Sequence, residues 1–390
     1  MSNLRRFLPL LQSTFFYPEL FNSHPINQLI TSSTAADHFE SQFDLSRIYR
    51  YQFDFVEVPI LMNAHPRIDI DQPLWSQDTF LGRLKHFFWV TDPRTAIRTN
   101  NELDEAKTLI EQYRLGREPP GTTYDKLIYA KKLYESAFHP DTGERQNVLG
   151  RMSFQVPGGM ALTGCMLQFY RSAPAVVFWQ WMNQSFNALV NYTNRNANSP
   201  TTETQLAVAY GSATTSALVT ALGLRKYLEK TASPFLQRYV PFAAVAAANC
   251  VNIPLMRQNE LIHGIDVTDE NGNIVGRSKF AAAKGIAQVV FSRIAMCAPG
   301  MTILPIIMER LEALPWMQRL KPLHAPFQVL GCGCFLIVMT PTACALFPQQ
   351  CELSTATLAR FEPDEWEKLQ ENCKKLGVPI PSHVYFNKGL

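Results

Sequence analysis

Arg293 is the sole charged side chain between residues 285 and 308. An ionised group at bilayer depth is costly and normally faces a cavity or a partner. The guanidinium is a permanent cation with a planar fork of donors, a shape that suits recognition of a carboxylate. Asn249 and Asn252 lie just before Pro254 in another uncharged stretch. Proline removes a donor and frees the carbonyl about four residues earlier, near Cys250. Freed carbonyls and Asn amides can hold a polar solute at a broken helix. A third polar group is the run Gln180, Asn183, Gln184, Asn187, Asn191 and Asn194. We take Arg293, Asn249, Asn252, Asn183, Gln184 and Asn187 as candidate substrate-binding residues. In that reading Arg293 meets a carboxylate, and Asn249 and Asn252 meet hydroxyl or ammonium groups. The bland alternatives are a structural pair or snorkelling for Arg293, and interfacial hydrogen bonding for the amides.

Other chemistry finds little support. Asp141-Thr142-Gly143 has the form of an aspartic-protease triplet, but that chemistry needs two carboxylates sharing a proton, and there is one such triplet. The loop 267–278 is not an EF-hand, because Val267 and Ser278 stand where acidic ligands are required. There is no G-x-x-x-x-G-K-[ST] loop, no H-E-x-x-H pair and no G-x-S-x-G elbow. Among the 8 cysteines, Cys332-x-Cys334 falls one residue short of a C-x-x-C motif, and buried free thiols are the default. No catalytic residue, metal or cofactor is therefore expected. A net charge of +3 without a Lys/Arg stripe excludes a basic nucleic-acid binder.

The elements that would hold the polar residues are apolar. Residues 152–351 carry 22 of the charged side chains, and the other 190 residues carry 47. Within that middle, 152–170, 172–194, 204–224, 239–256 and 322–351 are free of formal charge if His324 is neutral, and 285–308 has Arg293 alone. A membrane helix needs about 20 mostly apolar residues to cross a layer about 30 Å thick. Soluble core helices usually keep a polar face. We therefore expect an all-α, multi-pass membrane protein with about five spans, near 152–170, 204–224, 239–256, 285–308 and 325–347. Residues 174–194, rich in amides and carrying Trp179 and Trp181, read as an amphipathic or re-entrant segment. Five crossings would leave the two polar ends on opposite faces.

The ends read as separate regions. Residues 1–67 form an extension with Arg5, Arg6 and few acids, in the manner of a mitochondrial presequence. Residues 68–151 read as soluble helices, capped at Asn101 and Thr122 and ending at Phe138-His139-Pro140. Asn271-Gly272 marks a hairpin turn in the largest internal loop. Residues 352–390 read as a charged soluble tail.

Several motifs resemble the sideroflexin family. They are His139-Pro140-Asp141-Thr142-Gly143-Glu144, Phe178-Trp179-Gln180-Trp181 with Asn183-Gln184-Ser185, and Asn191-Tyr192-Thr193-Asn194-Arg195-Asn196. Pro241-Phe242 through Ala248-Asn249-Cys250-Val251-Asn252 and the ending Val384-Tyr385-Phe386-Asn387-Lys388-Gly389-Leu390 match as well. The resemblance begins near Ile68, passes through Trp75-x-x-x-Thr79-Phe80-x-Gly82-Arg83 and leaves out residues 1–67.

The resemblance implies a multi-pass protein of the mitochondrial inner membrane. It implies transport of serine and other small neutral amino acids such as alanine, glycine and cysteine, feeding one-carbon metabolism. It also implies a link to iron and haem homeostasis. An older family label, tricarboxylate carrier, would require several cations in the cavity, and Arg293 alone fits a neutral zwitterion better than citrate. The partners expected are those amino acids and mitochondrial membrane lipids, with no nucleic acid, and no sequence signal bears on oligomeric state. The competing reading is a non-transporting membrane scaffold or assembly factor for iron, haem or respiratory-chain proteins.

Overall fold

Thr99 Oγ1 accepts a hydrogen bond from the backbone N–H of Glu102, whose carboxylate accepts one from the backbone N–H of Thr99, and this reciprocal cap starts the second described helix. In the computed structural model the described residues are 67–140, 142–170, 172–194, 202–231 and 238–389. The extension before residue 67, Asp141 of the His139–Glu144 signature, and Arg195 and Asn196 of a second motif lie outside them. The polar region opens with α1 (Phe80–Val90), α2 (Asn100–Arg114) and α3 (Tyr124–Ala137). The caps differ from the sequence expectation: Thr99 rather than Asn101 starts α2, and Thr123 rather than Thr122 starts α3. Each winning threonine places its hydroxyl on the third backbone N–H of its helix, the geometry capping requires. Leu103, Ala106, Ile110 and Tyr113 of α2 recur at helical spacing and pack against Leu127, Ala130, Leu133 and Ala137 of α3.

Asp92, between α1 and α2, is 1% exposed and binds Arg94 at 2.8 Å and Lys132 at 2.6 Å. Burial alone would raise its pKa; the hydrogen bonds and charges of Arg94 and Lys132 outweigh that and hold the carboxyl below the usual aspartate value. A folded value below the unfolded one gives stability that is present above the ordinary aspartate range and is lost as pH falls through the folded value. Asp92→Asn is expected to cost about 3–5 kcal/mol by breaking a buried pair. Thermal unfolding should show the loss at neutral pH and a weaker acid dependence below it. A variant as stable as the parent contradicts the pairing.

Among the described residues six longer helices follow: α4 (Gln155–Phe169), α5 (Ala173–Thr193), α6 (Glu203–Thr231), α7 (Val240–Met256), then, after the short α8 (Gln258–His263), α9 (Lys279–Glu312), and, after the short α10 (Pro315–Arg319), α11 (His324–Ala345). Three helical stretches, Thr204–Leu228, Lys279–Glu312 and Lys321–Ala345, are long and apolar enough to cross a membrane, and Val240–Met256 is a shorter apolar helix. Small residues set the packing. Ala209, Ala213, Ala217 and Ala221 form a buried stripe along α6, and Ala221 meets Val240 and Ala244 of α7. Small side chains let helix backbones approach closely in lipid. Gly164 of α4 likewise lies against the backbone of Val329 in α11.

The six helices alternate in direction, so both polar regions meet at one end of the bundle. There Arg83 of α1 donates to the carbonyl of Ala345 at 2.9 Å, Gln146 donates to Asn194 after α5 at 2.8 Å, and Gln205 of α6 donates to Asn259 of α8 at 2.8 Å. The opposite end is closed by Gln180 donating to Tyr170 at 2.8 Å and by an Arg238–Glu309 ion pair at 2.9 Å. The near end also carries a small sheet, with β1 (Ile265–Thr268), β2 (Ile274–Ser278), β3 (Gln350–Ser354) and β4 (His383–Asn387) in the order β2-β1-β4-β3. The Asn271-Gly272 turn joins β1 to β2, with Asp269 accepting from the backbone N–H of Asn271 and Asn273. Helices α12 (Thr355–Phe361) and α13 (Pro363–Leu376) cover it through Leu358, Leu369 and Cys373. The segment after 352 thus folds onto the internal loop as one sheet. Glu362 ties this unit to the bundle: its carboxylate accepts from the first N–H groups of α9, at Lys279 and Phe280, which no helical carbonyl can satisfy.

Candidate functional site

The amides of α5 lie at 180, 184, 187 and 191, positions that recur on one helical face. That face turns inward: Gln180, Asn183 and Gln184 are buried. The segment 174–194, read from the sequence as amphipathic or re-entrant, is a 21-residue helix with its polar stripe buried or half-buried. At about 1.5 Å per residue its length matches a hydrocarbon layer about 30 Å thick.

The stripe climbs toward Arg293. At its far end Gln180, 0% exposed, donates to the hydroxyl of Tyr170, the residue after α4. At its near end Asn191 donates to the Met256 sulfur of α7 at 3.4 Å and accepts from Arg293 of α9 at 3.5 Å. The three helices α5, α7 and α9 therefore converge at Asn191. Val245 clusters with Met301 and Cys297, and Ile253 clusters with Ile286 and Val289. Those two contacts bracket Asn249 and Asn252, which puts both at the level of Arg293 along the bundle. Asn252 is buried, and Asn249 is half-buried.

Several polar atoms here are buried without a hydrogen-bond partner: Gln180 Oε1, Asn183 Nδ2, Gln184 Nε2, Asn252 Oδ1 and Ser292 Oγ. Such groups are costly when left unsatisfied, and native interiors rarely tolerate them. Together they offer unpaired donors and acceptors on α5, α7 and α9, the last of which carries Arg293. A zwitterion with a short polar side chain has the complementary set: one carboxylate, one ammonium and one hydroxyl. Asn187, half-buried on the same stripe, lies between Gln184 and Asn191.

The signature turn belongs to the scaffold. His139 N donates to the Glu144 carbonyl at 2.8 Å, Gly143 N donates to the His139 carbonyl at 2.9 Å, and Thr142 N donates to His139 Nδ1 at 3.3 Å. Gly143 has φ of 65°, a left-handed conformation that favours glycine. Pro140 ends the helical reach of α3. Lys107 of α2 donates to the Gly143 carbonyl, and Gln146 just beyond carries the turn onto the end of α5. Of the candidates, the structure places Asn183, Gln184 and Asn187 on α5, Asn249 and Asn252 on α7, and Arg293 on α9, three helices joined at Asn191, while the described residues of the 139–144 signature form a turn beside the Gln146 contact to the end of α5.

Three participants escaped the sequence reading. Ser292 adjoins Arg293 yet carries no spacing signal. Tyr170 ends α4 and looks like an interfacial aromatic. Asn191 stood in the amide run but was not singled out, because its partner Arg293 is 102 residues away. Among the described residues no three His, Cys, Asp or Glu side chains gather as a metal site requires.

The family model for sideroflexins matches residues 69–390. Sideroflexin-2 of Drosophila melanogaster is 61% identical over 323 residues, covering 83% of this chain and 98% of that protein. Human sideroflexin-2 is 62% identical over 322 residues, with the same shares of each chain, and human sideroflexin-1 is 54% identical over 325 residues, again 83% and 98%. No solved structure matches. Family and long apolar helices together fit a multi-pass membrane protein. With a match that runs from the first described helices to the C-terminus, at more than half of all aligned positions identical, this chain belongs to the sideroflexin family.

Proposed function

We propose that this protein carries serine, with alanine, glycine and cysteine as further substrates, across the mitochondrial inner membrane by alternating access. The observation that carries the reading is the set of buried, unpartnered amides on α5 and α7 that leads to Arg293. Arg293 takes the carboxylate, and Asn252, Ser292 and the α5 amides take the ammonium and hydroxyl groups. A single cation balances a zwitterion and leaves a tricarboxylate undercompensated. Both polar regions meet at the same end of the bundle, which supports an even number of crossings, six with α4 and α5 included. The supply of serine to one-carbon metabolism and the link to iron and haem homeostasis rest on kinship with the family.

The test is uptake of radiolabelled serine into liposomes holding the purified protein, against empty liposomes. Saturable uptake inhibited by alanine, glycine and cysteine and indifferent to citrate is the expected result. Folded, inserted protein that takes up no serine sinks the carrier and favours the scaffold.

A further inference from the structure

Lys388, one residue beyond β4, is clamped along its main chain at the near end of the bundle. Its N–H donates to the Gln349 carbonyl at 2.8 Å, its carbonyl accepts from Arg257 Nη1 at 2.8 Å, and its Cα and carbonyl oxygen pack over Gly285 of α9. The residue so held is 3% exposed. The charged and titratable groups that act on it electrostatically are Cys344, at the end of α11, Cys351, on β3, and the guanidiniums of Arg83 and Arg257. Among the described residues no carboxylate pairs with it. Glu260, the acid of this neighbourhood, is taken by Arg257, and Arg83 is spent on the carbonyls of Ala345, Gln77 and Asp78. Lys388 is thus the one cation of this cluster that lacks a partner among the described residues.

A buried ammonium is disfavoured unless it sheds its proton or meets an anion. We propose that Lys388 is the ammonium contact of a second binding site, for a small monocarboxylate, at the end of the bundle where the C-terminal segment folds over α9 and α11. One unpaired cation matches one negative charge, while a phosphate dianion would call on the guanidiniums already engaged. Lys388 packs on Gly285, and Arg293 lies further along the same helix, about 12 Å away at about 1.5 Å per residue, so the two sites do not share a cation. The carboxylate comes either from a free monocarboxylate ion or from an amino acid entering or leaving the bundle, and the inference does not depend on serine being the cargo.

The test is thermal unfolding of the purified full chain in detergent at constant ionic strength, with acetate, serine or phosphate added in exchange for chloride. Acetate is expected to raise the midpoint saturably. Lys388→Met should be more stable than the parent in chloride and should not respond to acetate, while Lys388→Arg keeps the response. Arg293→Leu should keep the acetate response whatever it does to serine. Stabilisation by serine in addition to acetate assigns the site to amino-acid cargo, and by acetate alone to a free ion; both support it. An equal acetate response in parent and Lys388→Met overturns the proposal, as does a response to phosphate and not to acetate. Loss of the acetate response in Arg293→Leu merges the two contacts and overturns the second site.

Discussion

On the proposed reading, Arg293→Leu is expected to abolish saturable serine uptake while leaving the protein folded and inserted. Arg293 reaches a single long contact, Asn191 at 3.5 Å, and no carboxylate among the described residues bonds it. A structural arginine in lipid would be held by an acid or several carbonyls, as Arg83 is held by three. Removing an arginine of that kind destabilises the fold. Removing one that waits for a ligand does not, because leucine takes a lipid-compatible shape and relieves the desolvation of the charge. Truncating one partner of a buried charge pair costs about 2–5 kcal/mol, which is roughly 30-fold to several thousand-fold in uptake at about 1.4 kcal/mol per decade. Normal uptake by the leucine variant removes Arg293 from the site. Loss of folding along with uptake returns Arg293 to the scaffold. Asn252→Leu tests the same cleft more gently: its amide is neutral, and the expected loss is about 1–3 kcal/mol.

Gly164→Ala is expected to push α4 away from α11. A Cβ on Gly164 would lie 2.5 Å from the Cα of Val329, and backbone cannot swing aside as a side-chain tip can. Overpacking of this kind costs about 1–3 kcal/mol in well-packed cores, and lipid offers no hydrophobic force to push the helices back together. The expected readout is a lower unfolding midpoint and a smaller folded fraction in detergent. Gly300→Ala is the control, since its Cβ would meet Phe335 at 3.5 Å, an ordinary contact. Equal behaviour of the two variants would mean that α4 and α11 do not pack through Gly164.

Much of the bundle was legible because lipid imposes a simple rule on sequence. The charge-free intervals correspond to helices, with ends extended where polar residues continue the hydrogen-bonded ladder: 285–308 became Lys279–Glu312, and 204–224 became Glu203–Thr231. The helix of 174–194 was harder to read because its amides were weighed by number, as a desolvation cost. Their positions, 180, 184, 187 and 191, share one helical face, and a shared face turns that cost into a site. The sheet escaped because β3 and β4 are short, lie in a charged segment and meet β1 only through pairing across more than a hundred residues, Thr268 with Tyr385. The placement of both polar regions at one end follows from the same long-range contacts. Burial of Lys388 depends on Gly285 and Arg257, over a hundred residues upstream, and nothing local to Asn387-Lys388-Gly389 announces it.

The central claim is a binding site for a small zwitterion at the convergence of α5, α7 and α9. Its most direct test is equilibrium binding of radiolabelled serine to the purified protein, with displacement by alanine and by serinol, which keeps the ammonium and hydroxyl groups and lacks the carboxylate. Saturable binding displaced by alanine and not by serinol, and lost in Arg293→Leu, is the predicted result. Folded protein that binds no serine, or binding that survives in Arg293→Leu, contradicts it.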